Sequence, residues 1–351
     1  LSGCNSLELS GDDPSAKAVA AAKLGINRAD QNIPILEYAL ENEPEIVQLQ
    51  SIQALGRIGT DKAVAVLEKF SNHDTRLVRI AVAQALQDVL PEAHESATKV
   101  LVKMGERVRP KSPAEDPRAD ERTAIVTSLA VVKHPASVDY LIERLRTDHV
   151  QNILEATTRT LGRVKAPRAI DALIESYGRD NERIRAIAIE ALGLIGDPRG
   201  AETVTRALQD LDAVTRGKAA RSLFQIEGKA AIPVLRAHLA AESADMPAIV
   251  TAHVLALLGE QDAIPFLEDR ILNAASELAR AEAGKALAEV GRIESFLIVD
   301  KAFHQDRDGL VKREAGLAAI ALLEKYPELK AKGLQAPPIN AAEPKAASGN
   351  H

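Results

Sequence analysis

The side chains able to do chemistry are few and scattered. The chain has 351 residues and a single cysteine, Cys4. Its eight histidines run from His73 to His351, and no two stand three or four positions apart. That spacing is what sets two imidazoles on one helix face to hold a metal. His94-Glu95 is the one His-Glu dipeptide, and "HESAT" lacks the second histidine of a zinc-binding helix. No G-x-x-x-x-G-K-[ST] run is present to cradle phosphate, and no G-x-S-x-G to present a nucleophile. These residues predict a protein that is not an enzyme and uses no cofactor or metal.

One charged segment stands apart. "MGERVRPKSPAEDPRAD", residues 104–120, holds three prolines, with bases first (Arg107, Arg109, Lys111) and acids mostly later (Glu115, Asp116, Asp120). Proline donates no backbone N–H and breaks a helix interior, so a loop is expected over 104–120. Arg107, Arg109, Lys111, Glu115 and Asp116 are its candidate binding residues. The segment also reads as a solvated spacer, because loop length costs little entropy.

The elements that would position this loop repeat along the chain. Leu55 in "QALGRIGTDKAVAVL" marks a register that Leu24, Leu86, Leu129, Leu161, Leu192, Leu223, Leu255 and Leu287 share, with Ala319 as a worn tenth copy. The marks lie 31 or 32 residues apart, except for 43 between Leu86 and Leu129, where residues 104–120 fall. Each unit reads as two helices: an apolar stripe at helical spacing, a Gly/Asp stop such as Gly196-Asp197-Pro198, then a second helix, three times opened by Ile-Pro (Ile33, Ile232, Ile264). One such pair cannot bury its own stripe, whereas stacked pairs share a continuous core. An all-α fold is expected, an α-α superhelix (solenoid) of about ten helical pairs.

Seven residues before the mark stand Lys17, Arg79, Arg122, Arg185, Arg216, Arg280 and Lys312. A basic stripe for an anionic partner would look like this. So would a ladder between adjacent units, each base bonding a neighbouring carboxylate or carbonyl, and recurrence in most units favours the ladder. Phe70, Tyr177 and Phe303 share an offset after the mark and are expected as core spacers.

"VRIAVAQAL", "IRAIAIEALGLIGDPRGA" and "DAIPFLEDRI" resemble the HEAT-like repeats also found in phycobilisome lyases, over roughly residues 14 to 326. The resemblance implies a scaffold as readily as a ligand-handling enzyme of the bilin-lyase kind. The HEAT-like di-iron hydroxylase has four His-Glu pairs, and this chain does not match it.

"LSGC", residues 1–4, resembles the lipobox of bacterial lipoproteins: leucine, a small residue, glycine or alanine, then cysteine. The resemblance implies cleavage before Cys4 and acylation of its thiol. Residues 1–13 are then lipobox remnant and flexible tether, 14–326 the repeat array, and 327–351, rich in small residues, a disordered tail. Asn5 is not the aspartate that resembles an inner-membrane retention signal, which favours the outer membrane, periplasmic side.

Composition narrows the function classes. Hydrophobic residues make up 46% and aromatics 3%, without tryptophan, so the core is aliphatic. The formal net charge is −6, against a nucleic-acid binder, which must neutralise phosphates. The expected function is a membrane-tethered scaffold or adaptor that binds other envelope proteins through a helical-repeat surface, attached by its lipid anchor.

Overall fold

The computed structural model describes residues 12–109 and 116–337. Within them lie twenty α-helices and no strand, alternating in ten pairs. The first helices of the pairs are α1 (Pro14–Leu24), α3 (Glu45–Ile58), α5 (Arg76–Ala85), α7 (Ala119–Val132), α9 (Gln151–Arg163), α11 (Glu182–Ile195), α13 (Ala213–Glu227), α15 (Asp245–Leu257), α17 (Glu277–Val290) and α19 (Gly309–Lys325). The second helices are α2 (Ile33–Asn42), α4 (Asp61–Phe70), α6 (His94–Arg107), α8 (Val138–Thr147), α10 (Ile170–Tyr177), α12 (Ala201–Ala207), α14 (Ile232–Ala241), α16 (Ile264–Asn273), α18 (Ser295–Gln305) and α20 (Pro327–Ala331). The fold is the expected all-α superhelix class.

Two compact units divide the chain at residues 191 and 192, inside α11. In the first, α1, α3, α5, α7 and α9 pack successively on one another, and α3, α5, α7 and α9 each pack on the even helix that precedes them. In the second, α13, α15, α17 and α19 do the same.

Every mark residue from Leu24 to Ala319 is buried, at most 5% exposed. Truncating such a leucine leaves a cavity in a packed interior. The odd helices stop in a repeated way. Four residues after the mark the backbone turns left-handed at Arg28, Gly59, Lys133, Lys165, Gly196 and Gly259. At Gly59 and Gly196 the N–H closes the helix on the mark leucine's carbonyl, at 2.9 and 3.1 Å. Ile33, Ile232 and Ile264 open their helices with proline following, where its missing N–H costs nothing.

Glycine beside the mark lets successive odd helices touch backbone to backbone. A Cβ on Gly56 would lie 2.6 Å from the Ala85 carbonyl oxygen, and one on Gly162 2.7 Å from Ala191 Cα. In the second unit a Cβ on Gly193 would lie 2.4 Å from Ser222 Oγ. The even helices are instead bridged by long side chains, as Lys103 to Glu68 at 2.7 Å and Arg146 to Glu175 at 3.0 Å.

Three expectations need adjustment. Met104–Arg107 continue α6 and α7 begins at Ala119, so helix invades both ends of the anticipated loop. Met104 and Gly105 are buried, and this apolar contact extends the helix past the mixed charges. The anticipated tail starts with α20, held by buried Leu329 and by the Tyr326 hydroxyl donating to the Gly291 carbonyl at 3.2 Å. Phe70, Tyr177 and Phe303 are half-buried and cover the core edge without filling its centre.

Candidate functional site

Lys17, Arg79, Arg122, Arg216 and Arg280, all seven residues before the mark, form a ladder. Lys17 reaches Glu43, Arg122 reaches Asp148, Arg216 reaches Glu242 and Arg280 reaches Asp306, each 26 residues onward. All four carboxylates belong to the residue that caps the C-terminus of the pair's second helix. The arginine therefore ties the start of one helix to the end of its partner. Arg216 also donates to the Asp210 and Leu211 carbonyls, and Arg280 to the Ala274 carbonyl, so each holds the preceding turn as well. Arg79 donates to the His73 and Asp74 carbonyls and, with the insertion intervening, pairs bidentately with Glu121 at 3.0 and 3.1 Å. Bidentate, charge-assisted bonds are the strong ones.

The pairing sets the charge state of these groups. Burial would push the Glu242 carboxyl up, but Arg216 and the Ala244 N–H hold it below the ordinary range. Asp306 is likewise opposed by burial and held low by Arg280 and the Asp308 N–H. A base occupied in this way is a structural rung and offers no stripe to an anionic partner.

The insertion is pinned by the same chemistry. Arg122, fully buried, bonds Asp148 at 2.9 Å on one side and Asp116 on the other, with Nη1 to Oδ1 at 2.7 Å. Burial opposes its charge, yet the two aspartates drive its affinity for the proton upward. His149 Nε2 lies 3.2 Å from Asp116. Asp116, one of the candidate binding residues, is thus turned inward and bonded to Arg122. Arg107 Nη1 donates to Ser71 Oγ at 3.4 Å, and Arg109, also exposed, lies 3.9 Å from Glu143. Lys111, Glu115 and Cys4 lie outside the described residues. The structure does not gather Arg107, Arg109 and Asp116 into one outward patch.

A surface feature that the sequence reading passed over is apolar. Nine residues before the mark stand Ile46 and Leu77 in the first unit and Val214, Met246 and Leu278 in the second, all exposed. Of the large exposed apolar side chains among the described residues, only Tyr38, Val234 and Leu297 belong to even helices. The signal was available as another recurring position, but it was masked by the stronger leucine register.

Among the described residues, no group of three or more His, Cys, Asp or Glu is placed to hold a metal ion, and no helix is long and apolar enough to cross a membrane. A cavity of about 450 Å³ lies beside α19 and α20, lined by Ile320, Leu323, Glu324, Lys330 and Leu334 among others.

The family model for HEAT repeats matches residues 7–87, 113–192 and 178–252, more than half of the chain. The chain belongs to the HEAT-repeat family. No curated protein matches it. Among solved structures, importin beta is similar at 12% identity over 92% of this chain and 53% of that chain, with a TM-score of 0.56. The karyopherin Kap121p, bound to the extreme C-terminus of the phosphatase Cdc14p, is similar at 14% identity over 93% and 42%, with a TM-score of 0.54. The CpcE and CpcF complex of phycocyanin lyase from Nostoc sp. is similar at 20% identity over 72% and 93%, with a TM-score of 0.38. At these identities the likeness is one of fold. The HEAT-repeat array spans about half of importin beta and less of Kap121p.

Proposed function

We propose that this HEAT-repeat protein is a non-enzymatic scaffold that binds other proteins of the bacterial envelope and is tethered to the membrane through a lipid on Cys4. The observation that carries the binding part is the concentration of exposed large apolar side chains on the odd helices. Core packing does not use them, and the ladder arginines beside them are already bonded. Exposed apolar surface that repeats along an array marks an interaction face.

The tether rests on Leu1-Ser2-Gly3-Cys4 and on the polar residues up to Asp13, which caps α1 by accepting from the Ser15 N–H at 2.9 Å. Ten residues reach at most ~35 Å, so the array would work beside the bilayer. Asn5 favours the outer membrane, on its periplasmic side. Stable anchoring needs more than one acyl chain, and a triacylated cysteine supplies that.

The test is a precursor that carries its own signal segment, expressed with labelled fatty acid. Label in the protein and salt-resistant membrane sedimentation, both lost in Cys4→Ala, are the expected result. Unlabelled protein, or Cys4→Ala protein that still sediments after a salt wash, would defeat the tether.

A further inference from the structure

One edge of the second unit is built alike in four successive repeats. At the start of α13, α15, α17 and α19 stand Val214, Met246, Leu278 and Leu310, each nine residues before its mark. Val214 is 60% exposed, Met246 40% and Leu278 60%, with Leu310 half-buried and Leu211 beside Val214 97% exposed. The exposed part of these first-turn apolar side chains faces water and is not used by the core. Beside each stands an acid: Asp212, Asp245, Glu277 and Asp308.

Asp212 and Asp308 cap their helices through backbone N–H groups, which leaves their negative charge in place. Asp245 is shared with Arg270 at 3.1 Å. Two bases of the edge are paired, Arg216 to Glu242 and Arg280 to Asp306, and Arg307 and Lys312 flank its last repeat. The edge is therefore a row of apolar knobs beside Asp212, Glu277 and Asp308, carboxylates without a basic partner among the described residues, and its negative charge is clearest around Val214 and Leu278.

The spacing of the row selects a shape of ligand. Packed helices stand about 8–10 Å apart, so one knob recurs about every 8–10 Å. A helix advances about 10.5 Å in seven residues. An extended strand sets same-face side chains about 6.8 Å apart, out of step with the row. We infer that this edge docks an amphipathic helix of a partner protein, with one apolar residue per heptad facing the row and lysine or arginine on its flanks. This deepens the scaffold reading and rests on its binding part, independently of the Cys4 tether.

The probe is a set of labelled synthetic helices titrated against the full chain by fluorescence anisotropy. One has leucine at every seventh position on an alanine and lysine background. A second replaces lysine by glutamate, and a third moves the leucines to every fifth position. Saturable binding of the first, weakened by added salt and at least about tenfold tighter than that of the other two, is expected. Leu278→Ser and Glu277→Lys should each weaken it by about tenfold, while Leu297→Ser, an exposed leucine on α18, should leave it unchanged. Circular dichroism of each variant checks that it is folded, and these exposed positions make folding insensitive to the change. No saturable binding, equal binding of the glutamate or five-residue peptide, or equal loss in Leu297→Ser would overturn the inference. The scaffold reading fails separately, if partners crosslink to no face of the array in cells.

Discussion

Arg216 and Glu242 stand 26 residues apart and face each other through two parallel hydrogen bonds, Nε to Oε2 at 2.6 Å and Nη2 to Oε1 at 3.0 Å. The pair closes one repeat and the Asp210 and Leu211 carbonyls attach it to the turn before. Glu242 is 3% exposed at its side chain, so removing its charge leaves a half-buried guanidinium under-bonded. Glu242→Gln should cost about 1–3 kcal/mol. Combined with Arg216→Met it should cost less than the two single losses added. Chemical denaturation of the four proteins gives the coupling, and strict additivity would show that the rung contributes nothing.

Backbone contact between odd helices depends on Gly56 and Gly162. Gly162→Ala puts a methyl group within 2.8 Å of the Ala191 Cβ, so α9 and its neighbour must separate. A loss of about 1–3 kcal/mol is expected from overpacking, whereas Gly309→Ala, which meets nothing within 4 Å, should be near neutral. Thermal melting of both variants checks this contrast.

The left-handed helix stop is filled by lysine at Lys133 and Lys165, with φ of 52° and 53°. A side chain in that conformation costs about 1–2 kcal/mol. Lys165→Gly should therefore stabilise the protein by about 0.5–1 kcal/mol after the greater freedom of glycine in the unfolded chain is counted. A raised denaturation midpoint is the expected reading, and a lowered one would show that the lysine side chain contributes more than its backbone costs.

Stability should fall on acidification in two stages. Burial holds His238 and His253 below the ordinary 6.5, so the unfolded chain takes up protons first and their contribution, full above 6.5, declines as pH drops. Burial would raise Glu121 and Glu242, but Arg79 with Arg118, and Arg216, hold them below 4.5. Their contribution is full above 4.5 and is lost as pH falls through the lower folded values. Urea midpoints should be level above about pH 7, decline below about 6.5 and drop more steeply below about 4.5. The double change His238→Gln, His253→Gln should flatten the first stage. A midpoint that rises on going from about pH 7 to about pH 5 would contradict these assignments.

The fold was legible because one leucine recurs in register, the apolar stripe recurs around it, and several units share a helix stop or an Ile-Pro start. The ladder was legible in half. Position told that the bases recur, but the carboxylate 26 residues ahead closes the rung only when the second helix folds back on the first. Asp116 could not be placed by sequence at all, since a charged residue among prolines looks solvated. Its inward turn follows from the buried guanidinium of Arg122, whose charge needs a second carboxylate. The apolar edge was missed because a leucine such as Leu278 reads as core in an alanine-rich helix. Only the packing of α17 shows that it points to water.

The most direct test of a binding face on the odd helices is site-specific photocrosslinking in intact cells, with a photoreactive amino acid in place of Leu278 or, as comparison, Leu297. Both leucines are exposed, at 60% and 65%, but they lie on α17 and α18. A discrete protein adduct in the envelope fraction from position 278, weak or absent from position 297, is the expected result. No adduct from position 278, or the same adducts from both positions, would contradict a partner held by the odd-helix edge.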